Sequence, residues 1–165
     1  MALTSRVLNP VFRYRPLRHS SAEIHELERL VAACHPTRTS RSRAFWFAFP
    51  TIVIESPSGM GLSAYSSVSV MGTLLQGIDM GVHLVYRRQG LGKILMYARL
   101  KLAKDLGTVD AIVGQTQVGN LGMKKLFELA GMTEQNTVEG YYDDLEGGPQ
   151  DALIFAGDAS TWRDL

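Results

Sequence analysis

Apolar positions along this chain keep two periods, and each change of period marks a new element. Leu74 through Val82 reads as a strand. Shortly after it, Leu91, Ile94, Leu95, Ala98 and Leu102 recur on one face of a helix, with Lys93, Lys101 and Lys104 elsewhere. Gly107 supplies the stop of that helix. Upstream, Ser20-Ser21-Ala22-Glu23 has the form of a capping box and starts a helix whose apolar face holds Ile24, Leu27, Val31 and Cys34. His35-Pro36 ends that helix. Strands are expected at Phe12 to Arg15, at Phe45 to Ile54 with Pro50 as a bulge or edge, and at Leu62 to Met71. Glu55 to Gly59 and Gly72 are turns, so the runs up to Val82 form an antiparallel meander. Val109 to Val113, Val138 to Tyr142 and Ala152 to Ala156 complete the strands. The order is β-α-βββ-α-β-α-ββ, and a short helix within residues 36–44 is not clearly marked.

The junction between Val82 and Lys93 carries the clearest chemistry. Arg87, Gly90 and Gly92 give the spacing Arg-x-x-Gly-x-Gly at a strand-to-helix turn. The first amides of a helix have no internal partner, and the helix dipole favours negative charge there, so the turn suits a phosphate. Arg87, Arg88 and Lys93 add positive charge. No dinucleotide Gly-x-Gly-x-x-Gly is present, and the Gly-Lys-Ser/Thr ending of a P-loop is missing.

A second motif follows: Gly119-Asn120, then Leu126-Phe127-Glu128-Leu129-Ala130-Gly131-Met132. With both motifs in place the chain resembles the GNAT superfamily of N-acetyltransferases, which use acetyl-coenzyme A. In that family a valine-ended strand leads into Arg/Gln-x-x-Gly-x-Gly/Ala and a helix. A fifth strand, an Asn, a helix with Leu-Tyr-Glu and a Gly-Phe come next. Val82, Arg87, Gly90, Gly92, Asn120, Leu126, Glu128 and Gly131 match in order and spacing, within residues 76–133.

The resemblance implies an α/β (α+β) single-domain GNAT-like fold over residues 1–165. It implies a mixed, mostly antiparallel twisted sheet of seven strands, flanked by helices and splayed between strands four and five. It implies that backbone groups at Met80 and Val82 hold the pantetheine arm of acetyl-coenzyme A. The turn formed by Arg87, Arg88, Gln89, Gly90, Leu91, Gly92 and Lys93 would hold the pyrophosphate. Asn120 would cap a helix and face the cofactor. The chain departs from the family in two places. Phe127 stands where a Tyr often protonates the leaving thiolate, and Gln76 stands where a Glu or His can act as base. Tyr141 or Tyr142 is the alternative proton donor, and strand alternation sends only one of them to the pocket. The same alternation puts Asp79 opposite Gln76 and Val82.

The implied activity is transfer of an acetyl group to a primary amine by direct attack in a ternary complex. The alternative is a catalytically weak acyl-coenzyme A binding module with a regulatory or assembly role. The family places the acceptor between two loops, here Arg38, Arg41 and Arg43 on one side and Asp143, Asp144 and Glu146 on the other. Opposite charges there suit an amine that also carries a carboxylate or phosphate.

Composition narrows the rest. At 165 residues the chain is most simply one domain, with 159–165 as a loose tail. No apolar run approaches a membrane span, and the Arg-bearing first 20 residues are not a secretory signal. Net charge is +1, but residues 1–50 carry +5, residues 51–104 +4 and residues 105–165 −8, which polarises the surface. Three arginines without interleaved aromatics do not make a nucleic-acid footprint. The four histidines lack ligand spacing, so no metal is expected. Cys34 is the single cysteine, a small buried side chain that suits a reducing cytoplasm. The partners expected are a small-molecule or peptide amine, with a homodimer left open.

Overall fold

Ser20 opens the first helix, α1 (Ser21–Cys34), and its side chain accepts a hydrogen bond from the Glu23 amide at 3.3 Å. The Glu23 carboxylate turns away from the expected capping box. It accepts from the Arg18 amide and pairs with Arg15 of the first strand, β1 (Tyr14–Pro16), and Arg15 also pairs with Glu55 at 2.7 Å. The computed structural model describes residues 12–35, 43–59, 61–142, 148–159 and 162. Arg38, Arg41, Asp143, Asp144 and Glu146 lie outside the described residues.

One expected strand divides in two. Residues Arg43–Ala48 form a helix, α2, and only Thr51–Glu55 form a strand, β2. The aromatic run looks strand-forming, but its rings sit at helical spacing: Phe45 meets Phe49 at 4.9 Å, and fully buried Trp46 meets Tyr65 edge-on at 5.8 Å. Tertiary packing overrides local propensity here. Pro50 separates the two elements.

The remaining elements are β3 (Leu62–Met71), β4 (Leu74–Val82), α3 (Leu91–Leu106), β5 (Ala111–Gln117), α4 (Leu121–Leu129), β6 (Thr133–Tyr142) and β7 (Gln150–Asp158). The last three strands run longer than the apolar pattern suggested. They form one sheet of seven strands in the order β1-β2-β3-β4-β5-β7-β6. All pairs are antiparallel except β4 with β5. Helix α1 packs on one face, where Ile24, Leu27, Val31 and Cys34 meet Trp46, Val53 and Tyr65. The other face holds α3 and α4, with Leu91, Ile94 and Leu95 over Ile52 and Ile54, and Met96, Leu126 and Phe127 over Leu75 and Phe155. The expected loose tail is anchored at Trp162, which is buried in this second layer and donates to the Gly157 carbonyl at 3.4 Å.

Two local irregularities shape the middle of the sheet. Parallel pairing of β4 with β5 covers only Leu74 to Gln76 against Ala111 to Val113, and beyond that the strands part. Within β4, Ser67 faces Asp79 while Val68 faces Gly77, so Ile78 is an extra residue, a bulge. The bulge overturns the alternation expected along β4. Gly81 pairs with Tyr65, which packs against α1, whereas Met80 pairs with Ser66, which bonds to Arg99 of α3. Asp79 therefore shares the α1 face with Gln76, while Gly77, Met80 and Val82 share the α3 face.

The ring of Phe127 lies against β5 just past the fork. A Cβ at Gly114 would stand 2.6 Å from its Cε1 and Cζ. Gly114→Ala is expected to destabilise the fold by about 1–3 kcal/mol through overpacking. Urea unfolding should show a lower midpoint with an unchanged slope.

Candidate active site

The fork between β4 and β5 opens a cleft of about 140 Å³. Gly77, Asp79 and Met80 of β4 line one wall, and Gln115, Thr116 and Gln117 of β5 line the other. Arg99 reaches it from α3, Phe127 from α4, His35 from the end of α1 and Tyr142 from β6. A larger cavity of about 610 Å³ lies on the β1–β2 flank beside Phe47 and Phe49. Its wall is mainly apolar, and its charged groups are already paired, Arg15 with Glu23 and Glu55, Lys101 with Asp105 of the same wall. The smaller cleft is the one where titratable side chains and open strand edges converge.

Parted strands leave backbone groups in need of partners, and β4 answers with its own side chain. The Asp79 carboxylate accepts from the Met80 amide at 2.9 Å. Its other neighbour is His35, with Nε2 3.9 Å from Oδ1. On the far face, Arg99 donates from Nη2 to the Asp79 carbonyl at 2.7 Å and from Nε to Ser66 Oγ. Burial pulls the Arg99 guanidinium down to about 10, and the Asp79 charge opposes that shift. Arg99 thus stays charged at neutral pH. Burial pushes the Cys34 thiol up to about 12, which fits an inert core cysteine.

The glycine turn lies where the sequence places it. Gly90 is the N-cap of α3 at φ 85 and has no side chain to cap the helix, so its first amides face outward. A Cβ at Gly90 would meet nothing within 4 Å, and one at Gly92 only Leu126 Cδ2 at 3.5 Å. There is room for a ligand beside both. Leu91 is buried in the core and offers only its backbone. Arg87 folds back, donating to the Val82 carbonyl at 3.1 Å and the Cys34 carbonyl at 3.4 Å. Gln89 donates to the Val85 carbonyl at 3.2 Å. These two side chains hold the turn, while Arg88 and Lys93 are exposed at it. Asn120 caps α4, accepting from the Met123 amide at 3.1 Å, and also lines the cleft.

Other expected positions divide. Met80 lines the cleft, whereas Val82 packs against the core cluster of α3. Tyr142 lines the cleft, whereas Tyr141 is 43% exposed and meets Tyr142 edge-on at 5.0 Å. Gln76 sits at the last paired rung and is not among the lining residues. Arg99, Asp79 and His35 were not expected there. The available signal was Gly77 inside a strand, a mark of a bulge or a close approach. Here it is both, since a Cβ at Gly77 would stand 2.5 Å from Arg99 Nη1.

The sequence matches the acetyltransferase (GNAT) family model over residues 24–132. None of the curated proteins matches it. Among solved structures, the ribosomal-protein-S18-alanine N-acetyltransferase of Escherichia coli superposes with a TM-score of 0.76 at 16% identity, covering 93% of this chain and 96% of that one. Arabidopsis thaliana NAA60 with a bisubstrate analogue gives 0.78 at 14% identity, covering 89% and 97%. The same protein with acetyl-coenzyme A gives 0.75 at 15%, covering 89% and 99%. At these identities the likeness is one of fold.

Arg88 has φ 67, the one non-glycine residue with positive φ among the described residues. An L-residue pays about 1–2 kcal/mol in this region, while a glycine costs about 0.5–1 kcal/mol in chain entropy. Arg88→Gly should therefore raise stability by up to about 1 kcal/mol. Calorimetry should show a melting temperature higher by about 1–4 °C.

Proposed function

Since the chain belongs to the acetyltransferase (GNAT) family, we propose that it transfers the acetyl group of acetyl-coenzyme A to a primary amine, by direct attack in a ternary complex. The observation that carries this reading is the cleft between β4 and β5, flanked by a helix start that no side chain caps. The residues present fit the donor. Amides at Gly90 to Gly92 suit a pyrophosphate, with the Arg88 and Lys93 side chains beside them. The edge of β4 that β5 leaves at Met80 suits the amide-bearing arm, with the Val82 carbonyl held by Arg87 at its end, and Asn120 closes the far side.

Acetyl-coenzyme A brings a thioester carbon open to attack. The chain's part is to hold a neutral amine against it and to accept a proton. An alkylamine has a pKa near ~10.4, so a base in the cleft helps. Among the described residues, Asp79, His35 and Tyr142 are the titratable groups near the acceptor side, and Gln76, at the last paired rung, cannot titrate. A carbonyl bound at the Met80 amide would displace the Asp79 carboxylate from it. The acceptor's further chemistry rests on the sequence alone: arginines at 38 and 41 against Asp143 favour an amine that also carries an anionic group.

Two outcomes test this reading. Acetyl-coenzyme A at ~100 times its dissociation constant should stabilise the protein by about 2.7 kcal/mol. Gly92→Asp, whose side chain has room, should abolish that shift through charge; a shift that survives places the donor elsewhere. Incubation with acetyl-coenzyme A and an amine panel should release free thiol and yield acetylated products by mass spectrometry. Binding without turnover would instead support an acyl-coenzyme A binding module. Tyr142→Phe should lower turnover by about 10²–10⁴-fold if its hydroxyl carries the proton, with donor affinity kept, while Tyr141→Phe changes little.

A further inference from the structure

We propose that Arg99 stabilises the negative charge on the sulfur that leaves the acyl donor, the task a tyrosine at Phe127 would otherwise perform; this rests on the acetyltransferase reading above. Arg99 is 3% exposed and reaches the cleft from α3. Its hydrogen bonds run from Nε to Ser66 Oγ and from Nη2 to the Ser67 carbonyl at 3.4 Å and the Asp79 carbonyl at 2.7 Å. Every one of these acceptors is uncharged. They occupy Nε and Nη2 and leave Nη1, which lies against Gly77, for the cleft that both residues line. A buried charge is costly unless paired, and breaking or omitting the pair is what costs most. The fold nevertheless keeps this cation where the bulge at Ile78 and the bare Cα of Gly77 make room for it.

Asp79 acts on Arg99 only through space, its carboxylate lying on the other face of the sheet, and the reaction brings a second anion into the cleft. The amine lone pair attacks the carbonyl carbon, the C–N bond forms, the C–S bond breaks, and the electron pair departs on sulfur; the surplus ammonium proton passes to a cleft base or to water. Phe127 lines the same cleft and has no proton to give. Among the described residues, the titratable and charged groups facing this space are Asp79 from β4, His35 from the end of α1, Tyr142 from β6 and Arg99 from α3. Asp79 and His35 stand on the α1 face, from which an acceptor amine would come, and the Asp79 charge disfavours a thiolate. Arg99 stands on the α3 face, together with the glycine turn that would hold the donor. A fixed cation aimed at developing charge in a site of only about 140 Å³ acts with little water between them.

The test reads the thiol of bound coenzyme A. An alkyl thiol of this kind titrates near ~8.5 in water. Beside Arg99 it should titrate at least about one unit lower, which makes coenzyme A bind about tenfold more tightly, relative to desulfo-coenzyme A, above about pH 9 than below about pH 7. Isothermal titration of both ligands across pH measures that ratio, and ultraviolet absorbance of the thiolate gives the bound pKa directly. Arg99→Met should flatten the ratio, and Arg99→Lys should retain part of it. A flat ratio in the unaltered protein would reduce Arg99 to a tie between β3, β4 and α3 and overturn the proposal, whether or not the variants fold. A ratio that persists in folded Arg99→Met would assign the effect to another group. Coenzyme A that binds while the ratio is flat sinks this proposal alone; failure of both ligands to bind sinks the acetyltransferase reading with it.

Discussion

Two adjacent parallel strands that part after three rungs set the problem that the rest of this chain answers. A sheet interior does not tolerate open amides and carbonyls. Beyond Gln76, β4 has its partner β3 on one edge and no β5 on the other, while β5 turns to β7. Asp79 fills part of the gap with its own carboxylate on the Met80 amide, and Arg99 takes the Asp79 carbonyl. Phe127 lies flat on Gly114 where β5 begins to diverge. A ligand with alternating donors and acceptors, such as the pantetheine arm of the proposed donor, would complete what the strands leave open.

The bulge at Ile78 gives this cleft its polarity. Without an extra residue, Asp79 would face α3 and meet Arg99 as a buried ion pair. With it, the carboxylate points to the α1 face, beside His35, and the guanidinium stays on the α3 face. In the proposed reaction, negative charge would face the incoming amine and positive charge the departing thiolate, which favours acyl transfer to nitrogen. Among the described residues, no helix is long and apolar enough to cross a membrane, and none of their His, Cys, Asp and Glu residues form a group of three that could hold a metal ion.

Much of the fold was legible in the chain. Periodicity located α1, α3, β3 and β4, because each buries one clean face or run. The spacing at Gly90, Gly92 and Asn120 located both helix starts that flank the cleft. The helix at Arg43–Ala48 was not legible, since Phe45, Trp46 and Phe47 favour strands in isolation, and the helix is set by a tertiary contact, Trp46 packing on Tyr65. Asp79 was rightly placed opposite Val82, but its relation to Gln76 was misread for a related reason. Alternation assumes an unbroken pleat, and the pairing that creates the bulge is set by β3, across the sheet. Arg99 looked like one more cation on an amphipathic helix; its burial depends on Gly77, a glycine on another element.

The central claim is that acetyl-coenzyme A occupies the cleft between β4 and β5, and amide chemical-shift mapping by two-dimensional NMR tests it most directly. Titration with the donor should move the amides of Met80, of Gly90 to Lys93, and of Gln115 to Asn120. Shifts gathered instead around Phe47, Phe49 and Ile52, beside the larger apolar cavity, would contradict the account.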